Sequence, residues 1–144
     1  MGKGSYTELF FLDEATALAA GHRPCFECRR ADAEAFRAAF ADGVGLHAPK
    51  APEMDRILHA ERLDRRAKRL HPLPMAPDRL PDGTMLAHGT EALLILNGRP
   101  WLWSPGGYRR IERWPDNPMM LTPPSTTAAL AAGYRPQIDA SARA

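Results

Sequence analysis

Two hydrophobic rhythms divide the chain. Up to about residue 70 the apolar positions recur at helical spacing, and beyond residue 82 they gather in short runs bounded by Gly, Pro and Asn, as strands do. Tyr6 to Leu12 reads as an aromatic, apolar first strand. It ends at Asp13, which is placed to cap a helix over Glu14 to Ala20 that Gly21 stops. Phe36 and Phe40, one turn apart, predict a second helix over Ala31 to Ala41 with Gly43 just past its end. Met54, Ile57, Leu58 and Leu63 predict a third, starting near Pro52 and running to about Arg69.

The stretch 71–82, HPLPMAPDRLPD, holds four prolines and reads as a linker or an ordered extended crossing. Thr84 to His88, Ala92 to Leu96 and Arg99 to Trp103 follow as strands. Asn97-Gly98 supplies the hairpin turn between the last two. Tyr108 to Trp114 and Met119 to Leu121 give one or two more. The expected fold is therefore α+β in a single domain over residues 1–144: helices over 1–70, the proline-rich crossing over 71–82, and a small antiparallel sheet with a terminal helix over 83–144.

One internal echo adds to this layout. Asp13 to Pro24 (DEATALAAGHRP) matches Ser125 to Pro136 (STTAALAAGYRP) at 7 of 12 positions without a gap. In each copy a potential N-cap precedes the helix, a Gly follows it, and a Pro three residues later prevents continuation. Each copy also follows a short apolar run, so the pattern predicts a duplicated strand–helix unit.

Charge changes little. Lys and Arg total 19 against 17 acidic residues, a net +2, though 16 of the 19 are Arg. Arg offers a planar fork suited to phosphate and carboxylate. No apolar run is long enough to span a membrane, and the first residues lack the pattern of a signal peptide, so a cytoplasmic protein with no membrane partner is expected. Cys25 and Cys28 are the whole thiol inventory and stand as a C-x-x-C, which is not a disulfide framework. Two thiolates at this spacing can reach one metal ion, and a structural zinc would need His ligands to complete it, from among His22, His47, His59, His71 and His88. Reduced thiols without metal remain the other reading. Redox exchange is disfavoured because the pair follows a helix and does not open one after a βαβ strand.

Residues 7–32, TELFFLDEATALAAGHRPCFECRRAD, resemble the end of the metal-binding domain of Ada, the bacterial methyl-phosphotriester repair protein. The shared pattern is a strand ending in two aromatics, a short Ala/Glu-rich helix, then Ala-Ala-Gly-x-Arg-Pro-Cys-x-x-Cys-Arg. The downstream HAER (59–62) and TPPST (122–126) stretches are similar to those of bacterial proteins that carry the same segment, a family to which the resemblance assigns no activity. The resemblance implies zinc, with Cys25 and Cys28 as two of four cysteine ligands. It implies nucleic acid as partner, with Arg23, Arg29 and Arg30 on backbone phosphates. The other two cysteines would precede Tyr6, where none exists, and the methyl-accepting thiol belongs to that missing pair. Methyl transfer is therefore not expected, and zinc would need histidines or a second protomer in a homodimer. The chain begins almost on top of the first strand, so it is expected to start part-way into a longer ancestral module.

A second constellation is helical. Asp55, His59, Arg62 and Arg66 fall on one face at i, i+4, i+7 and i+11. Asp55 can hold His59 in one tautomer, giving a general base beside Arg62 as charge stabiliser, with His71 able to join. This face is the basis of the alternative reading, a small hydrolase acting on a phosphate-bearing substrate, set against a merely solvated face. Trp101 and Trp103, on one side of a strand with Tyr108 and Trp114 on the next, form either a base-stacking platform ringed by Arg99, Arg109, Arg110 and Arg113 or plain core. A non-catalytic interaction protein is the third reading.

Overall fold

The computed structural model describes residues 12–64 and 67–143. It is an α+β structure. The elements run α1 (Glu14–Ala19), α2 (Arg30–Val44), α3 (Ala51–Arg62), a short antiparallel pair β1 (Leu63–Asp64) and β2 (Ala67–Lys68), then β3 (Met85–His88), β4 (Glu91–Leu96), β5 (Arg99–Ser104), β6 (Gly107–Arg110), β7 (Met119–Met120) and α4 (Pro124–Ala131). The sheet order is β6-β5-β4-β3-β7 with every pairing antiparallel. Asn97-Gly98 makes the β4–β5 hairpin, with Leu96 opposite Arg99 and positive φ at both turn residues, as a two-residue turn of the primed type demands.

Both faces of the sheet are covered. On one, Met85, Ala87, Leu94, Trp101, Trp103 and Tyr108 pack against Ala15 and Ala19 of α1 and against the C-terminal tail through Ile138 and Ala142. On the other, Leu86, Leu93, Ile95 and Met120 pack under Leu73 and Leu80 of the crossing and under Ile111 and Trp114. Segment 71–82 is thus an ordered crossing: His71 pairs through its backbone with Met120, and a 3-10 turn forms at Pro77–Arg79. The stacking platform is overturned by this layering. Trp101, Trp103 and Tyr108 are 9%, 9% and 7% exposed, and Trp114 packs on the opposite face.

A helical core holds Leu18, Phe36, Phe40, Met54, Leu58, Leu130 and Tyr134 from all four helices. Two of its helices end elsewhere than the sequence predicts. α2 runs through Gly43 and stops at Gly45, whose left-handed φ of 83° makes it the cap. Gly43 is needed inside the helix, since a Cβ there would sit 2.4 Å from the Ala128 carbonyl of α4. α3 stops at Arg62 instead of about Arg69. Leu63 turns extended, and the β1–β2 pair brings the Arg69 N–H back to the Arg62 carbonyl.

The echo is real in local geometry. Gly21 and Gly133, both at positive φ, donate to the carbonyls of Leu18 and Leu130, and the residues after them donate to Ala17 and Ala129. The starts differ. Asp13 caps α1 in a capping box with Thr16. Ser125, by contrast, lies inside α4, and the Glu61 carboxylate of α3 caps that helix by accepting from the Ser125 N–H and hydroxyl. β7 precedes the second copy; the strand expected before the first lies, except for Leu12, outside the described residues.

The ends of the echo units are tied together by buried carboxylates. Asp13 accepts from the Tyr108 hydroxyl and the Asp139 N–H, and Glu14 accepts from Tyr134, Arg29 and the Gln137 N–H. Burial, with Asp13 and Glu14 next in effect, raises both tyrosines above the ordinary phenol value.

Candidate functional site

The turn after α1 and the solvent side of α3 face each other across a cleft of about 740 Å³. Gly21, His22, Arg23 and Cys25 line one wall; Pro52, Asp55, Arg56, His59 and Arg62 line the other. Its size is in the range of small-ligand sites. Two constellations that the sequence kept apart, the Arg23/Cys25 turn and the Asp55/His59/Arg62 face, therefore line one cleft. Arg66 lies outside the described residues.

Local folding places each group. The positive φ of Gly21 turns the chain out of α1, and the stem of Arg62 runs against it so closely that a Cβ there would meet the Arg62 Cδ at 2.5 Å. Arg62 is thereby held beside the cleft with its Nε buried, and no group among the described residues accepts from that nitrogen. Lys68, at the end of β2, donates from Nζ to the Ala19 carbonyl at the end of α1, 2.6 Å away. Burial and then the Arg62 charge lower Lys68 to about 8. The same two causes, burial first, lower His22 from its ordinary value. The Arg62 charge thus disfavours the protonated forms of both Lys68 and His22.

Among the described residues Asp55 is the one carboxylate in the cleft lining, and Arg23 donates to both of its oxygens: Nε to Oδ1 at 2.7 Å and NH2 to Oδ2 at 3.0 Å. No hydrogen bond joins Asp55 to His59 among the described residues, so the expected Asp–His dyad is replaced by an Asp–Arg pair. His71 stands apart from the cleft. It is 6% exposed, and its Nε2 lies 2.8 Å from the Glu61 carbonyl, a structural role in joining α3 to the crossing.

The other two arginines expected on backbone phosphates are also paired. Arg29 donates to Asp32 and Glu14, which raises its already high pKa, and Arg30 lies 3.6 Å from Glu34. Arg56 and His22 complete the cleft although sequence reasoning did not assign them to it. Arg56 was discoverable, because it precedes His59 by three residues and so widens the same face. His22 was not, since only the fold carries the turn after α1 up to α3.

Cys25 and Cys28 are exposed and their thiols lie 3.5 Å apart. Hydrogen bonds from the backbone N–H groups of Cys28 and Glu27 lower the Cys25 thiol, while its interaction with Cys25 raises Cys28. The pair lies in the turn between α1 and α2, directly before α2, so it follows a helix and does not come after a βαβ strand, as the sequence predicts. As a zinc site it is incomplete. No group of three or more His, Cys, Asp or Glu able to hold a metal ion occurs among the described residues, and two thiols do not fit a closed four-donor centre. No described helix is long and apolar enough to cross a membrane. No family model, curated protein or solved structure matches the chain.

Proposed function

We propose that this protein is an Ada-like module that contacts nucleic acid by seating a backbone phosphate in the cleft between the α1 turn and α3, without methyl transfer. The observation that carries the reading is the buried Nε of Arg62, which has no acceptor among the described residues. A buried donor without an acceptor costs about 1–3 kcal/mol, which favours a turn of the Arg62 guanidinium into the cleft it lines, where a phosphate oxygen satisfies it and offsets the charge that acts on Lys68 and His22. Arg56 and His59 stand beside it on the same helix to take further oxygens. The Arg23–Asp55 pair holds the opposite wall in place, because its bidentate geometry fixes the orientation of both side chains. The same pair weighs against hydrolysis, since the group that would orient His59 is already engaged.

The test is binding of a fluorescently labelled DNA duplex over a series of salt concentrations, for the wild type and Arg62→Met. Methionine keeps an aliphatic stem against Gly21 and removes the guanidinium. The reading predicts affinity that falls steeply with salt, about a tenfold or greater loss in the variant, and a log–log salt slope shallower by about one. Absence of binding by the wild type at low salt, or equal binding by the two proteins, contradicts it.

A further inference from the structure

We infer that Cys25 and Cys28 form a second functional site, a dithiol that exchanges with disulfide substrates and closes reversibly into an intramolecular disulfide. Three observations carry this independently of the phosphate reading. The two thiols are in contact at 3.5 Å, so closure to the ~2.05 Å of a disulfide needs a small approach within one turn. Both are exposed, so a substrate disulfide can reach them. Their surroundings are unlike: Cys25 lines the cleft, whereas Cys28 is not among its lining residues.

The turn is also held. Phe26 is stacked by the guanidinium groups of Arg23 and Arg37, each 5.3 Å from its ring centre, and the Arg29 N–H donates to the Cys25 carbonyl at 2.8 Å. The 15-residue helix α2 begins directly after the pair and points its positive end at it. With no third donor among the described residues, this geometry suits a sulfur–sulfur bond better than a closed metal centre.

Cys25 is the attacking residue. Its thiolate attacks one sulfur of a disulfide RSSR, forming a Cys25–S–S–R bond and releasing one RS⁻, which takes the proton that Cys25 lost. The Cys28 thiol then gives up its proton and attacks the Cys25 sulfur, forming the Cys25–Cys28 disulfide and releasing the second RS⁻ as RSH. The dithiol loses two electrons and two protons, and RSSR gains them.

The experiment equilibrates the reduced full-length chain with mixtures of reduced and oxidised glutathione, followed by acid quench, alkylation and mass measurement. The expected result is one two-electron transition in which both thiols become protected together with a loss of two hydrogens. In Cys28→Ser, a glutathione adduct accumulates on Cys25. Initial reaction with oxidised glutathione is slower by about tenfold or more in Cys25→Ser than in Cys28→Ser. Three results overturn the inference: thiols that stay reduced across all mixtures, equal rates in the two variants, or zinc that copurifies at one per chain and blocks oxidation until it is stripped. Because none of these readouts involves DNA, the inference and the phosphate reading stand or fall separately.

Discussion

Arg62 and Lys68 meet at the end of α1, and each alters what the other can do. Lys68, lowered to about 8 by burial and by Arg62, holds its proton less tightly in the folded chain than in the unfolded one, where the ordinary value is 10.5. Below pH 8 both states carry the charge, and the folded state bears its cost. Between pH 8 and 10 the folded state has released a proton that the unfolded state keeps, so stability rises with pH through that window. Beyond it the trend reverses, since Tyr108 and Tyr134 resist ionisation only when folded. Urea unfolding at pH 8 and pH 10 should therefore show a wild-type gain of the order of 2 kcal/mol that is absent in Lys68→Met. An equal pH response in the variant would remove Lys68 from the account. At this scale the sequence was a partial guide. Asp55, His59 and Arg62 could be set on one face from spacing alone, but the Arg23–Asp55 pair joins residues 32 apart and left no local trace.

Elements were the most legible level, and their departures have physical causes. Strand positions followed short apolar runs bounded by turn residues, the Asn-Gly turn among them, and α1 followed its cap. The end of α2 was misplaced because a glycine was read for its backbone freedom when Gly43 serves close approach to α4 and only Gly45 serves the left-handed turn. The two make opposite predictions. At an exposed helical position Gly→Ala gains about 1 kcal/mol, yet Gly43→Ala should lose roughly 2–3 kcal/mol as its Cβ meets the Ala128 carbonyl. Gly45→Ala, with open space around it and only an unfavourable φ, should cost about 1 kcal/mol. Chemical denaturation of the two variants decides, and a neutral or stabilising Gly43→Ala would sink the packing argument. α3 was extended too far because its charged residues continue a helical pattern. The chain instead turns so that Lys68 reaches α1, an interaction no periodicity encodes.

The whole molecule joins a helical core to a two-faced sheet through α1, whose Ala15 and Ala19 lie on the sheet and whose Leu18 lies among the helices. That placement explains why the turn after α1 is well anchored: its helix is gripped from both sides, and Asp13 and Glu14 tie its start to the tail. The fold class was legible because helical and strand rhythms occupy separate halves. The covering of both sheet faces was not, since the proline-rich crossing and the tail have no periodicity to announce that they pack. The cleft is a product of this assembly, and its histidines report on it directly. His22 and His59 line it, whereas His47 and His88 are exposed elsewhere and His71 is buried. The most direct measurement is an NMR titration of the histidine ring protons with a short DNA duplex. The account predicts that His22 and His59 shift together, that His22 rises toward its ordinary pKa as the bound phosphate offsets Arg62, and that His47 and His88 stay fixed. Shifts confined to His47 or His88, or none at saturating duplex, would contradict it.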